Sequence, residues 1–236
     1  MPREKTFRFK QFSVLNDKTA MKVGTDGVLL GAWCDVTTVS NVLDVGTGCG
    51  LIALMIAQRN NHALIHGIDI DENAIDEAQI NFANSPWAPR LTASVADFNN
   101  FENNGDKYDL IVSNPPFFTN GILPPSNARN QARHTTSLSY ESLLSRSRHL
   151  LSNHGTIAII TPSNQETTIR RCLIALNLGL KRFTQVIPIE GAAPKRLLWE
   201  ITLDEVSTIT TTLTIAMNDR SPSNDYSTLT RDFYLD

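Results

Sequence analysis

The 236-residue sequence predicts an α/β fold: a mostly parallel, seven-stranded sheet with helices on both faces and a terminal antiparallel hairpin. Three observations predict it. From residue 42, short apolar runs alternate with helix-length amphipathic segments, the order that builds a parallel sheet with helical crossovers. The first run leads through a glycine-rich loop, "GTGCG", into an apolar helix. The last two core runs are joined by Gly-Ala-Ala-Pro, too short for a crossover helix, so this pair runs antiparallel.

The elements follow in order. "NVLDV" (41–45) is the first core strand and "LIALMIAQR" (51–59) the helix after the loop. "ALIHGID" (63–69) is the second strand. The helix over 72–84 places Ile75, Ala78 and Phe82 on one face, with acids near its N-terminus where the dipole favours them. "LTASVAD" (91–97) and "YDLIVSN" (108–114) are the third and fourth strands. A helix over 139–153 turns Tyr140, Leu143, Leu144 and Leu151 inward, and Gly155 leads into "TIAIITP" (156–162), the fifth. The helix over 165–179 is expected to close on Gly179 as its C-cap. The strands 181–190 and 196–204 form the hairpin. "KVGTDGVLLGAW" (22–33) reads as a strand or turn leading to a helix, and "STITTTLTI" (207–215) as a further edge strand. No repeat or linker divides the chain. It is expected to be one domain over 1–236, with an N-terminal extension (1–41), a core (42–204) and a C-terminal edge segment (205–236).

Bulk properties narrow the class. The chain is 41% hydrophobic, enough for a full core. No apolar run approaches a membrane span, and the N-terminus lacks a secretory apolar stretch, so the cytoplasm is the expected location. Cys34, Cys49 and Cys172 stand far apart with no CxxC spacing, which argues against a disulfide framework or a metal site. Nothing points to an obligate protein partner. Net charge is −3, but it is unevenly spread. Residues 69–109 carry nine acids against Arg90 and Lys107, while residues 110–200 carry ten Lys and Arg against four acids. Such asymmetry either makes one basic face or is ordinary solvated charge.

The glycine loop places Gly46, Gly48 and Gly50 between a strand and a helix. The spacing is GxGxG, unlike the GxGxxG that presents a helix N-terminus to a pyrophosphate. Asp44 lies on the strand just before the loop, where it repels phosphate and suits a cationic ligand such as S-adenosyl-L-methionine. Asp69 ends the second strand, placed to accept bonds from ribose hydroxyls. Asp97 ends the third, placed to accept a bond from an adenine amine. The alternative is that Asp69 and Asp97 merely cap turns. Two strand-end acids beside one glycine loop favour the cofactor pocket.

"NPPF" follows the fourth strand, at the edge where open α/β sheets bind ligands. Asn114 offers a side-chain acceptor, and Pro115 a carbonyl held by a rigid ring. Together they accept both hydrogens of a planar –NH₂ group, and Phe117 stacks on the ring that carries it. Pro116 completes the rigid turn, and Phe118 reads as packing. The bland alternative is a loop with a phenylalanine in the core.

"DVGTGCG", "GIDID", "VAD" and "SNPPF" together resemble the Rossmann-like class I S-adenosylmethionine-dependent amino-methyltransferases. "FKQFSV…AMKVGTDGVLLGAW", "NPPFFTNG" and "LTRDFYL" extend the likeness along the whole chain, to bacterial methyltransferases acting on N6 of adenosine 37 in the anticodon loop of a valine tRNA. The resemblance implies N6 methylation with Asn114, Pro115, Pro116 and Phe117 as the catalytic loop, and no metal. It implies that Lys22, Thr25 and Asp26 help close the cofactor pocket, although each also suits a turn or cap. It makes the polar segment 127–138, with Arg129, Arg133 and His134, a candidate contact to the tRNA anticodon stem-loop. Guanine-N2 ribosomal RNA and glutamine-N5 protein methyltransferases are the rivals of the same fold. Only 40 residues precede the first core strand, too few for the extra N-terminal domain these carry. A non-catalytic cofactor- or RNA-binding module is the rival of another class.

Overall fold

The computed structural model describes residues 6–19, 22–103, 105–115 and 138–235. A short hairpin, β1 (Thr6–Arg8) and β2 (Ser13–Leu15), precedes α1 (Thr25–Trp33). The core then runs β3 (Asn41–Val45), α2 (Leu51–Arg59), β4 (Leu64–Asp69), α3 (Glu72–Ala83), β5 (Leu91–Val95) and β6 (Tyr108–Ser113). It continues through α4 (Tyr140–Leu150), β7 (Leu151–Pro162), α5 (Glu166–Ala175), β8 (Gly179–Ile189), β9 (Arg196–Thr202), β10 (Ile209–Ala216) and α6 (Asn224–Thr230).

The main sheet has the order β10-β8-β9-β7-β6-β3-β4-β5. Strand β9 is antiparallel to both neighbours, and every other pairing is parallel. The expected seven strands are therefore eight, because the Thr-rich run 207–215 contributes β10 in parallel alongside β8. The chain reverses direction outward from β3, giving the switch in strand order that opens a crevice at the carboxyl edge.

Each face of the sheet buries its own apolar layer. One holds Leu29, Leu30, Leu54, Met55, Ile56 and Phe82 from α1, α2 and α3. The other holds Leu143, Leu144, Ile169 and Leu173 from α4 and α5 against Ile111, Ile157, Ile159 and Trp199. Strands β3 and β6 are apolar on both faces because both are covered, as parallel strands require.

Three local expectations change. Helix α5 ends at Ala175, and Asn177 rather than Gly179 takes the left-handed conformation (φ 51°) after it. Gly179 opens β8, where a Cβ would lie 1.9 Å from the Asp204 carbonyl oxygen, so close backbone approach explains the glycine. Leu151 is buried but begins β7 instead of extending α4. Strand β5 stops at Val95, leaving Asp97 in the turn beyond it. The β1–β2 hairpin and α6 were not foreseen. Phe7, Phe9 and Tyr234 cluster there, and Lys10 N donates to the Phe233 carbonyl, so the two ends of the chain pack together.

Candidate active site

The contiguous order β5-β4-β3-β6 sets the carboxyl ends of four strands in a row. Asp97, Asp69, Asp44 with the glycine loop, and Asn114 follow one another along it. In the register of the sheet, Asp44 stands beside Gly67 and Val112, and Val45 beside Ile68 and Ser113. Residues as far apart in sequence as Asp44 and Asn114 thus share one crevice.

Gly46, Gly48 and Gly50 all have positive φ (71°, 56° and 82°), which a residue with a Cβ adopts only with strain. Their surroundings differ. A Cβ on Gly50 would fall 2.4 Å from the ring of buried Phe82, so this glycine serves packing. Among the described residues, a Cβ on Gly46 would meet nothing within 4 Å. That open approach leaves the Gly46 backbone accessible, as a ligand-binding loop requires.

Asp44 is fully buried. Its Oδ2 accepts from the Thr47 hydroxyl at 2.7 Å, while Oδ1, though buried, has no hydrogen-bond partner among the described residues. Burial is the main cause that pushes its carboxyl up to about 7, opposed by the Thr47 hydroxyl bond and the Ala53 backbone amide, with the charge of Asp69 adding to it. A buried carboxylate left short of a partner is costly, and a cationic ligand removes that cost. Asp69 ends β4 and is held from behind: Gly48 N donates to Oδ2 and Asp71 N to Oδ1, both at 3.0 Å. Burial likewise raises its pKa, against these amide bonds. Two exposed apolar side chains flank it: Ile70, next in sequence, and Val95, its register partner on β5. This platform suits a flat ring. It was missed because exposed apolar residues at strand ends look like strand continuation.

Asp97 is more occupied than expected. Its Oδ1 accepts from Asn99 N (2.9 Å) and Nδ2 (3.1 Å), and its Oδ2 from Asn100 Nδ2 (2.9 Å). The carboxylate caps the turn after β5 at the carboxyl edge of the sheet.

Asn114 is half-buried and Pro115 buried immediately after β6. Pro116, Phe117, Phe118, Arg129, Arg133 and His134 lie outside the described residues. Of the three N-terminal candidates, Lys22 donates to the carbonyls of Asn16 (3.2 Å), Asp17 (2.9 Å) and Thr19 (3.0 Å). Thr25 opens α1, exposed. Asp26, in the first turn of α1, binds Arg196 Nε at 2.8 Å. Among the described residues no three His, Cys, Asp or Glu side chains converge as a metal site, and no helix is long and apolar enough to cross a membrane.

Fold and site together define a class I methyltransferase. Its architecture matches a crystal structure described as a predicted O-methyltransferase from Agrobacterium tumefaciens, with a TM-score of 0.70 over 88% of this chain and 96% of the other at 15% identity. At that identity the likeness shows the fold. The family model described as "Methyltransferase small domain" matches residues 22–181. Curated proteins from Bacteroides fragilis (43% identical), Parabacteroides distasonis (45%) and Enterobacter sp. (39%) match over 96–99% of both partners. Each is named tRNA1(Val) (adenine(37)-N6)-methyltransferase. The chain belongs to this methyltransferase family.

Proposed function

We propose that the protein transfers the methyl group of S-adenosyl-L-methionine to N6 of adenosine 37 in the anticodon loop of tRNA(Val), a reaction of the cytoplasm. The observation that carries the reading is the row Asp97, Asp69, Asp44 and Asn114 along adjacent strand ends. The acids favour a cationic nucleoside ligand, and the asparagine stands next to them. The printed name of the near-full-length relatives supplies the acceptor.

Asp69 is oriented to accept from the ribose hydroxyls, Ile70 and Val95 to flank the purine, and Asp44 with the Gly46 backbone to receive the cationic amino-acid end. When bound, S-adenosylmethionine supplies an electrophilic methyl on a sulfonium. The chain must then make a poor nucleophile adequate, because the lone pair of an adenine amine is delocalised into its ring. The Asn114 side-chain oxygen and the Pro115 carbonyl accept the two N6 hydrogens. This favours a tetrahedral nitrogen and stabilises the positive charge that develops on it as the N–C bond forms and the S–C bond breaks. N6 then releases one proton to water. Phe117 holds the base in line, which converts the encounter into an oriented attack.

Unmodified tRNA pools are methylated with labelled cofactor, digested and analysed by mass spectrometry. N6-methyladenosine confined to position 37 of tRNA(Val) is expected. N2-methylguanosine or no product overturns the reading.

A further inference from the structure

The segment before α1 is pinned to the cofactor side of the sheet by groups that none of the chemistry above uses. Its backbone N–H groups converge on one buried carboxylate of α3. Glu77 Oε1 accepts from Asp17 N (2.7 Å) and Lys18 N (2.6 Å), and Oε2 accepts from Thr19 N (3.0 Å) and the Thr19 hydroxyl. The carbonyls of Asn16, Asp17 and Thr19 converge from the other side on the Lys22 ammonium. One turn further along α3, Asn81 spans the strap and the glycine loop. Its Nδ2 donates to the carbonyls of Leu15 (2.9 Å) and Cys49 (2.8 Å), and its Oδ1 accepts from Leu15 N (2.7 Å). At the end of the strap, the Thr19 methyl lies 3.8 Å from where a Cβ on Gly48 would stand. Glu77 and Asn81 are buried, at 2% and 3% exposure, although both are polar residues on a helix beside solvent.

We propose that Glu77 and Asn81 are positioning residues for cofactor binding: by fixing residues 15–19 against Gly48 and Cys49, they hold one wall of the S-adenosylmethionine pocket. The inference rests on the reading of Asp44, Gly46 and Asp69 as that pocket. A carboxylate suits the role because it accepts in several directions at once, so one side chain orders three consecutive amides. Burial alone would raise the Glu77 pKa, but the Thr19 hydroxyl and the three amides hold it below the usual carboxylate range. The strap is thus bound to an ionised group at neutral pH. Lys22 acts here through the strap, holding its carbonyls, and needs no contact of its own with the cofactor.

The test measures calorimetric affinity for S-adenosylhomocysteine, with cofactor and tRNA steady-state constants and thermal midpoints, in Glu77→Gln and Thr19→Val. Glutamine presents an –NH₂ group to strap donors and loses half of the bonds. Valine removes one hydroxyl at constant shape and keeps the fold if Glu77→Gln does not. About tenfold weaker cofactor binding is expected for Glu77→Gln, and about threefold for Thr19→Val. The cofactor KM rises in step, while the tRNA KM and turnover at saturating cofactor stay within twofold. A lower thermal midpoint with unchanged affinity and cofactor KM in the folded variants assigns Glu77 to stability alone and overturns the proposal. Wild-type protein that fails to bind S-adenosylhomocysteine overturns the pocket itself and the proposal with it.

Discussion

The Ser113 hydroxyl donates to the Val45 carbonyl at 2.7 Å, tying the last residue of β6 to the last residue of β3. One residue beyond each end stand Asn114 and Gly46, the proposed acceptor and the open glycine of the loop. Both atoms of the bond are buried, so it sets the spacing between the proposed cofactor half and base half of the crevice. Ser113→Ala is expected to cost about 1–3 kcal/mol by leaving a buried carbonyl one partner short. In a chain this long, each kcal/mol lowers the melting point by about 2–4 °C. Turnover should fall further than cofactor affinity, since spacing matters more to the reaction than to binding. Equal losses in both would show that the bond stabilises only the sheet.

Gly46→Ala and Gly50→Ala separate ligand contact from packing within one loop. Both introduce a Cβ at positive φ, costing about 1–2 kcal/mol. At Gly50 the methyl also strikes Phe82 in the core, adding about 1–3 kcal/mol of overpacking. At Gly46 it meets none of the described residues within 4 Å. Differential scanning calorimetry with ligand titration is expected to show the larger melting-point loss in Gly50→Ala. The larger affinity loss, about tenfold or more, is expected in Gly46→Ala. The reverse ranking would place the ligand elsewhere.

Asp44 links pH to both stability and binding. Its folded pKa of about 7 lies well above the ordinary value of about 3.9. Between these values the folded state holds a proton that the unfolded chain has released. Stability without ligand therefore falls as pH rises from about 4 to about 7, and levels off above it. A cationic cofactor selects the ionised form, so its affinity rises over the same window and then flattens. Asp44→Asn removes this group's contribution to both slopes, leaving a protein whose stability changes less between about pH 4 and 7 but a weaker cofactor binder. Melting curves and calorimetric titrations from pH 5 to 8.5 check this. Identical slopes in wild type and Asp44→Asn would assign the titration to another group.

The parallel core was legible because its signals are local: apolar runs, a glycine loop and a link too short for a crossover. The strand-end positions of Asp44, Asp69 and Asn114 followed from them. Asp97 reads less simply, because the side-chain bonds of Asn99 and Asn100 draw its carboxylate into a turn. Glu77 and Asn81 were illegible as a positioning pair. On a helical projection they are two polar residues four apart, and only the docking of a segment about 60 positions earlier buries them. Lys22 and Asp26 were assigned to the pocket by the family resemblance. In the structure Lys22 donates to strap carbonyls and Asp26 pairs with Arg196. Long-range partners of this kind leave no periodic trace.

Asn114 carries the sharpest prediction. Its side chain leaves β6 half-buried beside the glycine loop, and Pro115, buried next to it, fixes the adjoining carbonyl. If these two oxygens are the preorganised acceptors of the N6 hydrogens, removing one acts on the transition state, where charge accumulates on nitrogen. Binding of cofactor changes little. Asn114→Ala is expected to lower single-turnover methylation by about 10²–10³-fold, with S-adenosylhomocysteine affinity within about twofold of wild type. Asn114→Asp keeps an oxygen acceptor but replaces the amide donor with a second, charged oxygen, so its rate should fall between wild type and alanine. A rapid-quench assay with saturating tRNA measures the ranking directly. Near-wild-type single-turnover rates in Asn114→Ala would remove the residue from the chemistry and leave the Pro115 carbonyl as the remaining acceptor.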